Sequence, residues 1–128
     1  MESLSPNLFV RDIRATIEFY KQLGFNVTMS VPGEKEGDFV WAMVTNGSVT
    51  FMFQTYDSLG DALSPISRKD GGSLLFYINL KNIRSFFAGI HDKVTILQGL
   101  NKTFYGATEF SILDNNNYVL TFAEHEAE

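Results

Sequence analysis

Hydrophobic and polar positions along the chain run through one succession twice. Near the N-terminus, SPNLFV reads as a strand and Asp12 as a helix N-cap. Ile13, Ile17, Phe19, Tyr20 and Leu23 then form an apolar stripe at helical spacing that stops at Gly24. FNVTMSV, DFVWAMV and VTFMFQT predict three strands, the last two closed into a hairpin by Asn46-Gly47. The order then repeats. SLLFYINL reads as a strand, Asn82 as a cap, and Ile83, Phe86, Phe87 and Ile90 as one helix face, followed by the strands VTILQGL, TEFSILD and YVLTFAE. A single shift of 70, the difference between positions 8 and 78, lays LFVRDIR on INLKNIR and also SVTFMFQ (48–54) on YVLTFAE (118–124).

The pattern predicts an α+β fold of two βαβββ modules in tandem within one domain, 1–128: module 1 over 4–55, a linker over 56–72 and module 2 over 73–124. The linker, YDSLGDALSPISRKDGG, is polar and turn-rich, with a short helical turn expected at Leu59 to Leu63. Half a chain of this size would leave one sheet face bare, so each module is expected to need its twin.

Composition narrows the function. With 45% hydrophobic residues and 12 Phe the chain is too apolar to be disordered. The lack of Cys removes disulfides, thiolate metal sites and cysteine nucleophiles. A net charge of -5 disfavours nucleic acid and anionic membrane and suits a cationic ligand. No basic-then-apolar leader and no uninterrupted apolar run of membrane-spanning length is visible, which predicts a soluble cytoplasmic protein. The sequons at Asn26, Asn46 and Asn101 are then ordinary turn or strand residues.

Val10, Asp12 and Ile13, then Phe19-Tyr20 and Leu23 to Phe25, together with YGATEFSILDNNNYVLTFAE over 105–124, carry a resemblance. In these motifs, their order and their duplication, residues 4–124 resemble the glyoxalase, bleomycin-resistance and extradiol-dioxygenase superfamily. The resemblance implies curled sheets forming an open barrel around a central cavity, and a homodimer. It also implies a divalent metal held by side chains from the first and last strand of each module. The positions it points to are Ser5, Phe51, Leu75 and Thr121. None is a usual ligand, so the metal is expected to be missing and no cofactor is expected. His91 and His125 are expected to be solvated rather than to replace those ligands.

If those four positions point inward, the two-residue period of strands turns the other odd-numbered positions the same way. The expected cavity wall is Ser5, Asn7 and Phe9; Phe39, Trp41 and Met43; Phe51 and Phe53; Leu75, Tyr77 and Asn79; Glu109 and Ser111; and Thr121. The candidate ligand-binding residues are Asn7, Phe9, Phe39, Trp41, Phe51, Phe53, Tyr77, Asn79, Tyr105 and Glu109; no catalytic residue is assigned. Trp41 offers a flat face for a planar or cationic ligand. Tyr77 and Asn79 interrupt an apolar strand, and Glu109 is a lone carboxylate at the pocket mouth. Tyr105-Gly106 stands where bleomycin-resistance relatives tend to carry an aromatic-Gly pair bordering the groove. The helical stripes read as core, and Pro32 to Asp38 as a solvated hairpin connection. No G-x-S-x-G, Walker loop or dinucleotide fingerprint is present.

The sequence therefore points to a metal-independent protein that binds a small molecule, aromatic or cationic, with no nucleic-acid or membrane partner. Two alternatives stay open: an enzyme of lyase, isomerase or dioxygenase type with a non-standard site, and a dimeric regulatory or scaffold module.

Overall fold

Which face of each sheet meets a helix follows from the alternation of large apolar side chains along its strands. A computed structural model of the protein describes residues 1–126, and within it the chain forms two units, one over Met1–Asp70 and a second from Gly71.

The first unit contains β1 (Asn7–Val10), α1 (Ile13–Gln22), β2 (Asn26–Pro32), β3 (Phe39–Asn46), β4 (Val49–Thr55) and the single turn α2 (Tyr56–Leu59). Its sheet has the order β1-β4-β3-β2, with β1 parallel to β4 and the remaining pairs antiparallel. The second unit contains β5 (Leu75–Asn79), α3 (Ile83–Ile90), β6 (Thr95–Lys102), β7 (Ala107–Leu113) and β8 (Val119–His125), in the order β5-β8-β7-β6. The parallel first pair and antiparallel remainder recur there, so the tandem βαβββ reading holds strand for strand.

Asp12 caps α1 as expected: its carboxylate accepts from the Ala15 amide at 3.1 Å. Gly24, at φ +95°, ends the helix in a conformation that costs glycine nothing. The buried face of α1, Ile13, Thr16, Ile17 and Tyr20, meets β4 through rings. Tyr20 lies 5.6 Å from Phe51 and 4.9 Å from Phe53 between centroids, and Phe25 closes the cluster at 5.5 Å from Tyr20. In the second unit Phe86 packs on Phe122 at 4.9 Å and Phe87 on Phe110 at 5.0 Å.

The capping of α3 departs from the sequence reading. Asn82 makes no side-chain cap and sits left-handed at φ 59°. Its place is taken by Glu124 of β8, whose two carboxylate oxygens accept from the Asn82 and Ile83 amides at 3.0 and 3.1 Å. These bonds, that to Ile83 foremost, hold the Glu124 carboxyl below the usual carboxylate range. The helical turn of the linker also falls earlier than expected, at Tyr56–Leu59, because the Thr55 hydroxyl accepts from the Ser58 amide and starts it there. Beyond it, Arg68 gathers the carbonyls of Gly60 and Ala62 at 2.7 Å, Ile66 at 2.6 Å and Leu63 at 3.3 Å. Gly33 to Asp38 is the connection between β2 and β3, as expected, and Arg14 donates to the Gly37 carbonyl.

Candidate functional site

Register assigns each strand residue to the helix side or the open side of its sheet. In the second unit Leu75, Tyr77 and Asn79 pair with Val119, Thr121 and Ala123, while Ser111 and Glu109 pair with Thr121 and Ala123. Because Phe110 and Phe122 lie under α3, all these odd-numbered residues look away from it. At the centre of that open face the buried hydroxyls of Ser111 and Thr121 bond at 2.8 Å.

One register step along, Ala123 of β8 separates Asn79 on β5 from Glu109 on β7, and its small methyl group leaves room for Tyr77, paired with Thr121, to reach diagonally across. Tyr77 Oη donates to Glu109 Oε2. The β6–β7 connection brings a second phenol to the same atom. Thr103 and Ala107 exchange hydrogen bonds, Gly106 turns at φ +84°, and Tyr105 Oη donates to Glu109 Oε2 at 2.5 Å. His125, at the end of β8, places Nε2 3.2 Å from Tyr77 Oη, with its ring 6.1 Å from that of Tyr77 and 6.4 Å from that of Tyr105. Two phenols thus meet one carboxylate, with the His125 ring beside both. Partial burial first, then donation to Glu109, pushes the Tyr77 phenol well above its ordinary range. Donation to Glu109 is the leading cause of the rise for Tyr105. Both hydroxyls keep their protons at neutral pH.

Tyr77, Tyr105 and Glu109 of the expected site are therefore brought together. Asn79, exposed, lies farther along β5 in a groove of about 970 Å³ that also takes in Lys81, Arg84, Lys102 and His125. In the first unit, Asn7, Phe9, Phe39 and Trp41 share the open side of the sheet with Met43, Met52 and Gln54, all half-buried. Asn7 Nδ2 donates to Gln54 Oε1 at 3.0 Å, while Asn7 Oδ1 is buried without a partner among the described residues. His125 was missed by the sequence reading, although its odd number in the alternation of β8 is a signal that places it beside Tyr77.

Phe51 and Phe53 do not belong to the open side. Only 2% and 0% exposed, they lie beneath α1 against Tyr20, as core. The cause is a one-residue slip. Asn7 pairs with Met52 and Tyr77 with Thr121, so the offset is 77 − 7 = 70 in the first strands and 121 − 52 = 69 in the last. Met52, not Phe51, corresponds to Thr121, and the faces of β4 are reversed relative to the uniform shift.

This correction leaves the implied metal positions as Ser5, Met52, Leu75 and Thr121, and their chemistry does not fit a divalent ion of the kind the resemblance implies. Ser5 is exposed ahead of β1, Met52 and Leu75 offer no hard donor, and the Thr121 hydroxyl is engaged with Ser111. Among the described residues no group of three or more His, Cys, Asp or Glu is placed to hold a metal.

Comparison with known proteins agrees with this architecture. A family model for the Glyoxalase/Bleomycin resistance protein/Dioxygenase superfamily matches residues 4–122. A glyoxalase/bleomycin resistance protein/dioxygenase family enzyme from Burkholderia phytofirmans is similar with a TM-score of 0.77 at 20% identity, over 95% of this chain and 97% of that one. A bleomycin resistance determinant encoded on the transposon Tn5 gives 0.67 at 18%, over 99% and 100%. A bleomycin-binding protein solved in complex with bleomycin gives 0.64 at 18%, over 98% and 100%. At these identities the likeness is one of fold. No curated protein matches the chain.

Proposed function

Because the chain belongs to the glyoxalase/bleomycin resistance protein/dioxygenase superfamily, we propose that it is a small-molecule-binding protein that works without the divalent metal and holds an aromatic or cationic compound. The observation that carries this reading is the carboxylate of Glu109 set among the rings of Tyr77, Tyr105 and His125 on an open sheet face. A carboxylate supplies charge, and flat rings supply stacking and cation–π attraction of about 0.5–2 kcal/mol per contact. Phe9, Phe39 and Trp41, with Asn7 as a polar handle, give the first sheet an open face of similar character. One structural relative is a bleomycin-binding protein, which lends support through shared fold alone. Metal independence is supported by the donor-poor set Ser5, Met52, Leu75 and Thr121.

The test is a thermal-shift screen of aromatic cations and neutral aromatics, with native mass spectrometry of the purified protein for anything retained. A ligand at about 100 times its Kd should add about 2.7 kcal/mol of stability. That gain should survive dialysis against a chelator and shrink in Glu109→Gln. If nothing in either class shifts the melting temperature and nothing co-purifies, the binding reading is lost. If chelation abolishes binding, metal independence is lost.

One contact favours the enzymatic alternative: Tyr77 Oη lies between Glu109 Oε2 and His125 Nε2, a path along which a proton can pass. Hydrogen–deuterium exchange at a carbon of a bound ligand, catalysed by the protein and abolished in Tyr77→Phe, would establish it.

A further inference from the structure

The two phenols do not share the Glu109 carboxylate between its oxygens. Both donate to Oε2, and among the described residues Oε1 receives no hydrogen bond. Asn101, the nearby amide, donates to the backbone carbonyl of Glu109 at 3.3 Å and not to its side chain. With each hydroxyl proton committed to Oε2, what the cluster presents outward is acceptor capacity: Oε1 with its charge. Tyr77 Oη faces His125 Nε2 on its other side. Phenols hold their protons at neutral pH, and the rise of both pKa values extends this arrangement into alkaline solution. An acceptor array bearing one negative charge is complemented by a cation that brings its own N–H donors. The surrounding rings favour a flat one, because a planar guanidinium or amidinium stacks on an aromatic face while its edge N–H groups reach the carboxylate.

Resting on the small-molecule-binding reading above, we infer that the Glu109 site selects a planar N–H-bearing cation, an amidinium or guanidinium, over a quaternary ammonium of similar size. A quaternary ammonium meets the rings by cation–π attraction alone and leaves Oε1 desolvated without a donor, which is costly.

The experiment compares three probes on the full chain by calorimetric titration: benzamidine, benzyltrimethylammonium and neutral benzamide. The expected result is benzamidine binding at least about tenfold more tightly than either of the others. That preference should collapse in Glu109→Gln, which keeps the shape of the side chain and removes the charge. Equal affinity for benzamidine and benzyltrimethylammonium overturns the inference while leaving cation binding in place. Affinity for benzamide alone overturns the inference and turns the general reading towards neutral aromatics. Binding of none of the three, or benzamidine binding indifferent to Glu109→Gln, overturns the assignment of this site. The comparison of probes uses the unaltered protein, so it decides the question even if the variant folds poorly.

Discussion

At the scale of single residues, the site depends on two phenols that resist ionisation. Tyrosine ordinarily titrates at about pH 10, and both Tyr77 and Tyr105 are raised above this. A group whose folded-state pKa is raised contributes its stabilisation fully below the unfolded value and loses it as pH rises through the folded value. Two of the five tyrosines should therefore form phenolate late in an absorbance titration. Glu109→Gln should return them towards the ordinary range and lessen the loss of stability at high pH. Phe53 illustrates the opposite kind of residue. Fully buried beside Tyr20, its replacement by Ala should cost about 3–5 kcal/mol in urea denaturation. Alternation along the strands made Tyr77 and Glu109 legible, since parity across β5, β7 and β8 follows odd numbers without interruption. Phe51 and Phe53 were misread because a uniform shift of 70 cannot register a single residue lost between the first and last strands. His125 was hidden by its acidic sequence neighbours.

At the scale of elements, helix periodicity and hairpin residues were enough to place α1, α3 and every strand, because each is fixed by local pattern. The start of α3 was not legible for the converse reason: its cap comes from Glu124, 42 residues away in the chain and adjacent only through β8. Glu124→Ala should lower the melting temperature at pH 7. Since the Glu124 carboxyl is depressed in the folded state, its stabilisation is present above the ordinary carboxylate pKa and disappears as pH falls through the folded value. The gap between variant and parent should therefore narrow in acid. Asn82, freed of the capping role but held at φ 59°, should accept Gly with little change. Asn82→Val should cost about 1–3 kcal/mol, because a β-branched residue is strained in that conformation.

At the scale of the whole molecule, the tandem repeat legible in the sequence is realised as two sheets of one topology. The edge strand β2 of the first sheet exposes Met29 by 59% and Val31 by 46%. An apolar edge of this kind suits the homodimer that the sequence resemblance implies. Light scattering should then return 2 × 14.4 = 28.8 kDa, and Met29→Lys should shift the mass towards 14.4 kDa. No described helix is long and apolar enough to cross a membrane. The net charge of -5 should speed the encounter of a cationic ligand, and added salt should slow it.

At the end of the first unit, after α2, runs a stretch without strand or helix, cinched by Arg68 through four carbonyl oxygens. A single guanidinium thereby fixes the backbone of a stretch whose side chains are exposed, Leu63 among them. Arg68→Ala should leave both sheets intact yet free the backbone at Leu63 to enter the cleft of chymotrypsin, nicking the chain into two fragments under conditions where the parent protein stays whole.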